Sequence, residues 1–339
     1  MGNTISQMFP PAAKFTETNV PDQTGKVFIV TGSSSGVGKE LAQILYSHNA
    51  KVYVAARSSE KASKAIESIK AAFPNSKGEI EYLHLDLDDL STIKASADEF
   101  LSKETKLDVL WNNAGVMIPP QGSKTKQGYE LQLGTNNVAP FLFTKLLTPI
   151  LKSTAKVNPP GTTRVVWVSS SAAEGFSPKG GIDLTNLDYK KDQTAWHKYG
   201  VSKAGNLYHA KEFAKRYEDD GIISVALNPG NLKSDLQRHV AGWQNAILQR
   251  FLYTPIHGAY TELFAGLSPD VTPEKNGAWS KHPSVSLEHP LTLCLVIPWG
   301  RFGPLRADIE VGSKSEEEGG TGISKKFWEW SEDQVKSYL

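Results

Sequence analysis

The chain has 339 residues, with 37 Lys and Arg against 36 Asp and Glu, a formal charge of +1. That balance excludes the basic face on which nucleic-acid binding depends, and a hydrophobic content of 39% excludes a fully disordered chain. The single cysteine, Cys294, excludes an internal disulfide and a cysteine-based zinc cage, and it fits a reducing compartment.

Residues 1–24 read as an irregular arm, because Pro10, Pro11 and Pro21 break any helix. Met1-Gly2-Asn3-Thr4-Ile5-Ser6 fits the N-myristoylation pattern at Gly2. No polybasic patch follows to supply a second anchoring signal. With no apolar run of about 18 residues, the expectation is a cytoplasmic protein with no transmembrane segment.

From residue 26 the chain alternates strand-like runs with helical ones. The strands are expected at 27–31, 51–55, 79–84, 107–111, 164–169 and 222–227, and the helices at 37–48, 59–72, 90–105, 129–151 and 195–217. This alternation predicts an α/β fold, a doubly wound parallel sheet of Rossmann type. The strand runs are almost continuously apolar, as strands covered on both faces are. One domain over 25–312 follows, with a substrate-side region at 231–275 and a C-terminal tail at 313–339 carrying a short helix.

The first strand leads into Gly32-Ser33-Ser34-Ser35-Gly36-Val37-Gly38 and then a helix. Glycines let the backbone approach a pyrophosphate, and the helix N-terminus offers free N–H groups. Dinucleotide binding is therefore expected at Gly32, Ser34, Ser35, Gly36, Val37 and Gly38. The second strand ends in Ala56-Arg57-Ser58. No carboxylate stands there to grip a ribose 2′-hydroxyl, whereas Arg57 and Ser58 suit a 2′-phosphate, so NADP(H) is expected over NAD(H).

Tyr199 and Lys203 lie four residues apart in a helical run and share one face. A neighbouring ammonium stabilises a phenolate and lowers the tyrosine pKa. Such a tyrosine can give a proton to a carbonyl oxygen or take one from an alcohol. The eight histidines form no metal pattern.

These motifs occur together with Asp86-Leu87 after the third strand, Asn112-Asn113-Ala114-Gly115 after the fourth, Asn136, Ser169-Ser170-Ser171 after the fifth, and Asn228-Pro229-Gly230 after the sixth. In this set and order the chain resembles the short-chain dehydrogenase/reductase family over about residues 24–275. The resemblance implies roles. Asp86 and Leu87 would meet the adenine, and Asn113, Ala114 and Gly115 would support the cofactor. Ser170 would hydrogen-bond the reacting oxygen, with Ser171 as the alternative. Tyr199 would be the acid/base, Lys203 would bind the nicotinamide ribose, and Asn136 would hold a water linking Lys203 to solvent. Pro229, Gly230, Leu232 and Ser234 would form the carboxamide turn.

Ser170 to Tyr199 spans 29 residues, longer than in plain members. The insert 176–196 resembles the loop of retinol-dehydrogenase-like and WW-domain-oxidoreductase-like members, and of fungal members tied to specialised metabolism. The implied activity is interconversion of an alcohol with a ketone or aldehyde on a lipophilic small molecule. The alternatives are a silent nucleotide-binding protein and a non-redox member of the fold. Relatives pair through helices matching 129–151 and 195–217, which leaves a homodimer open. Finally, Asn276-Gly277-Ala278-Trp279 and Val296-Ile297-Pro298-Trp299 resemble adjoining parts of one strand region. Their separation by 280–294 reads as a disordered insertion or a retained intron.

Overall fold

The computed structural model describes residues 6–233, 252–278 and 294–339. Gly2, Ser234 and most of the expected insertion 280–294 lie outside the described residues, as do Trp243 and Phe251. Eight strands form one sheet in the order β3-β2-β1-β4-β5-β6-β7-β8. They are β1 (Val27–Thr31), β2 (Lys51–Ala56), β3 (Glu79–His84), β4 (Val109–Asn112), β5 (Arg164–Val168), β6 (Ile223–Leu227), β7 (Cys294–Ile297) and β8 (Arg301–Pro304). All neighbours are parallel except β7 and β8, which close the edge as an antiparallel pair.

The crossovers run through α1 (Gly36–Ser47), α2 (Ser59–Ala72), α3 (Leu90–Lys103), α4 (Ala139–Val157) and α5 (Ala195–Tyr217). The helices α6 (Pro255–Leu267), α7 (Ala307–Ser313) and α8 (Ile323–Val335) follow. Alternate side chains of each strand feed two cores. In β1, Val27 and Ile29 enter the core covered by α3, α4 and α5, while Phe28 and Val30 enter the core beneath α1 and α6. This is the geometry that apolar runs without polar alternation demand. The strand order reverses direction between β1 and β4, which opens a crevice at the carboxyl ends of these strands.

Two departures from simple periodicity position the site. The expected helix at 129–151 is divided: Leu131–Leu133 leads into a π-helical turn, Gly134–Val138, before α4 begins. Such wide turns often mark functional sites. The C-terminal segment also packs as core. Phe327 and Trp328 of α8 are buried, with the Trp328 ring 4.7 Å from Phe141 of α4 and 6.3 Å from Phe213 of α5. Helix α8 therefore covers the parts of α4 and α5 that carry Phe141 and Phe213. At the other edge the N-terminal arm docks. Gln7 accepts a hydrogen bond from Asn228, and Phe15 meets Phe264 of α6 edge to face.

Candidate active site

A cavity of about 690 Å³ occupies the crevice. One lobe is the expected phosphate loop: Gly32, Ser34, Ser35, Gly36, Val37 and Gly38 all line it. Gly36 has φ +59, and a Cβ there would meet nothing within 4 Å, so its open side faces the space a ligand would take. A Cβ on Gly38 would instead lie 2.5 Å from Asn113 Nδ2. That amide donates to the Thr31 carbonyl at 2.7 Å, and the Ala114 N–H donates to Thr31 Oγ1 at 2.9 Å. The loop after β1 and the loop after β4 are thus locked together. Helix α1 has no acidic residue in its first turn, which leaves its dipole free to act on an anion. The cradle fits a dinucleotide.

At the far end of the cavity, Asp86 and Leu87 follow β3, and Arg57 and Ser58 follow β2. Ser58 caps α2, and its Oγ accepts from the Lys61 N–H at 3.3 Å. Lys61 lines the cavity beside Arg57 and adds a second cation, which the sequence reading missed. Its signal was a lysine on the first turn of the helix that Ser58 caps.

The other lobe holds the chemistry. Tyr199 and Lys203 are both buried, 6% and 4% exposed, and both line the cavity on one face of α5. Of the serines after β5, Ser169 is committed to the fold, donating to the Lys203 carbonyl at 2.7 Å, and Ser171 is exposed. Ser170 lines the cavity with Tyr199, its Oγ accepts from the Ala172 N–H at 3.2 Å, and it is the serine that acts on the Tyr199 phenol. Lys203 Nζ donates to the Val168 carbonyl at 2.9 Å and stands 5.7 Å from the Tyr199 ring centre. Burial pushes the Tyr199 phenol up to about 12, with Ser170 opposing, and burial pulls the Lys203 ammonium down to about 8. The net shift of the phenol is upward, opposite in sign to what a neighbouring ammonium alone would give. Desolvation dominates both groups, and the lysine is engaged with the strand carbonyl.

Asn136 is placed differently from the others. It sits in the π-helical turn behind Gly115, fully buried and not on the cavity wall. Its Oδ1 accepts from the Val116 N–H at 2.8 Å, and its Nδ2 donates to the Val116 carbonyl and to Ser202 Oγ, both at 3.0 Å. A Cβ on Gly115 would lie 3.1 Å from Asn136 Oδ1 and 3.5 Å from Lys203 Nζ. Asn136 therefore ties the loop after β4 to α5, the helix that carries Tyr199 and Lys203. Pro229, Gly230 and Leu232 line the cavity as expected, while Ser234 is outside the described residues.

The insert 176–196 begins and ends on stacked aromatic rings. Phe176 and Trp196 lie 4.7 Å apart in the cavity wall, and Trp196 meets Tyr199 edge to face at 6.4 Å. Met117, Leu131 and Leu252 extend the apolar lining. Arg306 holds the insert by donating to the carbonyls of Glu174, Ser177 and Pro178, and Asp308 accepts from the Gly180 N–H. Tyr253, Tyr260 and Phe264 face the protein instead of the cavity. His197 is likewise absent from the lining. Among the described residues no His, Cys, Asp and Glu cluster could hold a metal, and no helix is long and apolar enough to cross a membrane.

Residues 26–181 match the family model for short chain dehydrogenases. The chain is 52% identical to a short-chain dehydrogenase/reductase of Phomopsis amygdali, over 99% of this chain and 97% of that one. It is 49% identical to the short-chain dehydrogenase/reductase pkfC of Emericella nidulans, over 97% and 98%. A crystal structure of a Mycobacterium paratuberculosis protein superposes with a TM-score of 0.61 at 25% identity, covering 96% of this chain and 98% of that one. With a Rossmann-type sheet, a glycine-lined cradle and relatives alike along nearly their whole length, the chain belongs to the short-chain dehydrogenase/reductase family, oxidoreductases that bind a nicotinamide cofactor.

Proposed function

We propose that the protein is an NADP(H)-dependent oxidoreductase that interconverts an alcohol with a ketone or aldehyde on a lipophilic small molecule. The observation that carries this reading is the convergence of Ser170, Tyr199 and Lys203 on the wall of one cavity. The NADP(H) preference is supported by Arg57, Ser58 and Lys61 at the adenosine end, where no carboxylate closes β2. The lipophilic substrate is supported by Phe176, Trp196, Met117, Leu131 and Leu252 on the wall next to Tyr199.

The cofactor, when bound, supplies or accepts a hydride at the substrate carbon. The chain's own residues manage the oxygen and its proton. Ser170 donates a hydrogen bond to the substrate oxygen and fixes it beside Tyr199. Tyr199 gives its phenolic proton to that oxygen in reduction and takes it back in oxidation. Lys203 places positive charge below the phenolate that reduction leaves, which lowers the cost of forming it in a buried site. Asn136 holds the loop bearing Gly115 against α5, so that the ribose and nicotinamide subsite keeps its spacing to Tyr199.

The test is Tyr199→Phe, which removes one hydroxyl and keeps the ring. Turnover of NADPH with a panel of aldehydes and ketones should fall by about 10²–10⁴-fold, the usual contribution of general acid–base catalysis. Cofactor affinity, followed by fluorescence, should be retained. Normal turnover in the variant would overturn the role of Tyr199 and with it the redox reading.

A further inference from the structure

Glu262 on α6 is completely buried, lines the cavity that Lys203 lines, and has no hydrogen-bond partner among the described residues on either carboxyl oxygen. Its backbone is held in place, since the Glu262 carbonyl accepts from Trp111 Nε1 at 2.9 Å. A carboxyl carried into an apolar interior with both oxygens unmatched is costly, and such groups persist where a charge or ligand answers them. None of the roles given above to Ser170, Tyr199, Lys203 and Asn136 uses it.

We propose that Glu262 is a positioning residue of the site, its carboxylate holding the Lys203 ammonium charged and acting through it on the Tyr199 proton. The proposal rests on the assignment of Tyr199 and Lys203 above. Geometry singles out the pair. Helix α6 packs on α1, β4, β5, β6 and β7. The spans of β4, β6 and β7 contain no charged residue, and Cys294 opens β7 at the end of the sheet remote from the cavity. On β5, Arg164 is spent on the carbonyls of Gly161, Ala265, Ser268 and Val271. On α1, Lys39 reaches Ser68, while Glu40 acts on Tyr260, as does Glu17 of the arm. On α6 itself, His257 bonds Thr254. Lys203 is the charge that acts on the Glu262 carboxyl, and Glu262 is the charge that acts on Lys203.

The two groups shift toward one another. Burial raises the Glu262 carboxyl to about 8, with Lys203 opposing, and burial lowers Lys203 to about 8, with Glu262 opposing. Each ionised form therefore depends on the other. With the carboxylate removed, Lys203 loses the charge that keeps it protonated, and the phenolate of Tyr199 loses its support.

Glu262→Gln tests this, since it is isosteric and retains the fold. The midpoint of the rise of alcohol oxidation with pH should move upward by roughly one unit, the usual reach of one opposed charge. Affinity for NADPH should change less than threefold. A second measurement needs no turnover. The folded chain holds the Glu262 proton more tightly than the unfolded chain. Its stabilising contribution is full below the ordinary carboxyl range and is lost as pH rises through about 8. The variant should therefore gain thermal stability over the wild type at pH 8, and the gain should vanish near pH 5. Unmoved pH midpoint together with a stability difference independent of pH would overturn the proposal. If Tyr199→Phe remains active, the assignment of Tyr199 fails. The stability arm then still reports whether Glu262 ionises against Lys203: with burial unopposed, the pH-dependent gain from Glu262→Gln should be larger in a Lys203→Met background than in the wild type, and an equal gain in both backgrounds overturns the pairing.

Discussion

Cofactor choice gives the sharpest test of the adenosine end. Arg57 closes β2 as an exposed side chain, while its carbonyl accepts from the Tyr82 hydroxyl at 3.5 Å. Arg57→Ala should therefore leave the strand end in place and change folding stability by less than about 0.5 kcal/mol, as surface substitutions do. A charge-assisted hydrogen bond to a phosphate is worth about 1.5–3 kcal/mol when protected. Here solvent reaches the guanidinium, and exposed ion pairs fall to about 1 kcal/mol or less. Lys61 also remains as a second cation. A loss of about 1–2 kcal/mol follows, roughly 5- to 30-fold in the NADPH dissociation constant. NADH, which lacks the 2′-phosphate, should be unaffected. Fluorescence titration of both cofactors against both proteins measures this, and raising the salt should narrow the difference between wild type and variant. Equal losses for the two cofactors, or a wild type that prefers NADH, would refute the reading of Arg57 as a phosphate contact.

Two further substitutions probe the frame. Gly38→Ala places a methyl group 2.5 Å from Asn113 Nδ2, so the amide must leave the Thr31 carbonyl or α1 must shift. Overpacking of this kind costs about 1–3 kcal/mol; cofactor affinity should fall at least about tenfold with a lower melting temperature, and an unchanged dissociation constant would refute the tight β1–β4 loop contact. Trp328→Ala removes a buried indole packed on Phe141 and Phe213 and covered by Arg216 at 4.6 Å. Large aromatic truncations cost about 3–5 kcal/mol, and urea unfolding that shows less than about 1 kcal/mol would mean that α8 does not pack on α4 and α5 in solution.

The parts of this protein legible in the sequence are those whose geometry is local. The strands at 27–31 and 164–169 announce themselves by the apolar runs 27–30 and 165–168, and Gly32–Gly38 follows the first at a fixed offset. Tyr199 and Lys203 meet because one helical turn brings them together. Groups that reach the site through tertiary packing left no such trace. Glu262 sits among apolar residues of α6, and nothing in Thr261-Glu262-Leu263 distinguishes a cavity carboxyl from a solvated one. Phe176 and Trp196 are 20 residues apart and stack in an insert that Arg306 and Asp308, more than 100 residues later, help to hold. The C-terminal segment read as a tail because its apolar stripe has no local partner; its partners are Phe141, His209 and Phe213. The direction of the Tyr199 shift also escaped the sequence, since spacing reports proximity but not desolvation.

The acid–base groups and the insert between β5 and α5 are fastened differently, although Trp196 of the aromatic wall shares α5 with Tyr199. The acid–base groups hang on the sheet: the Val168 carbonyl takes both Lys203 Nζ and Asn206 Nδ2, each at 2.9 Å, and Ser169 returns a bond to the Lys203 carbonyl. Displacing them requires breaking β5 from α5, so their spacing is as rigid as the core. The start of the insert hangs instead on α7 and its approach, through Arg306 and Asp308, with Tyr208 of α5 donating to the Gly180 carbonyl at 2.6 Å. Changes within the insert before α5 can therefore reshape the substrate wall while the proton-transfer geometry stays fixed. A site whose reacting groups sit on rigid elements and whose selective wall sits on a separately fastened loop can alter its substrate without rebuilding its catalyst.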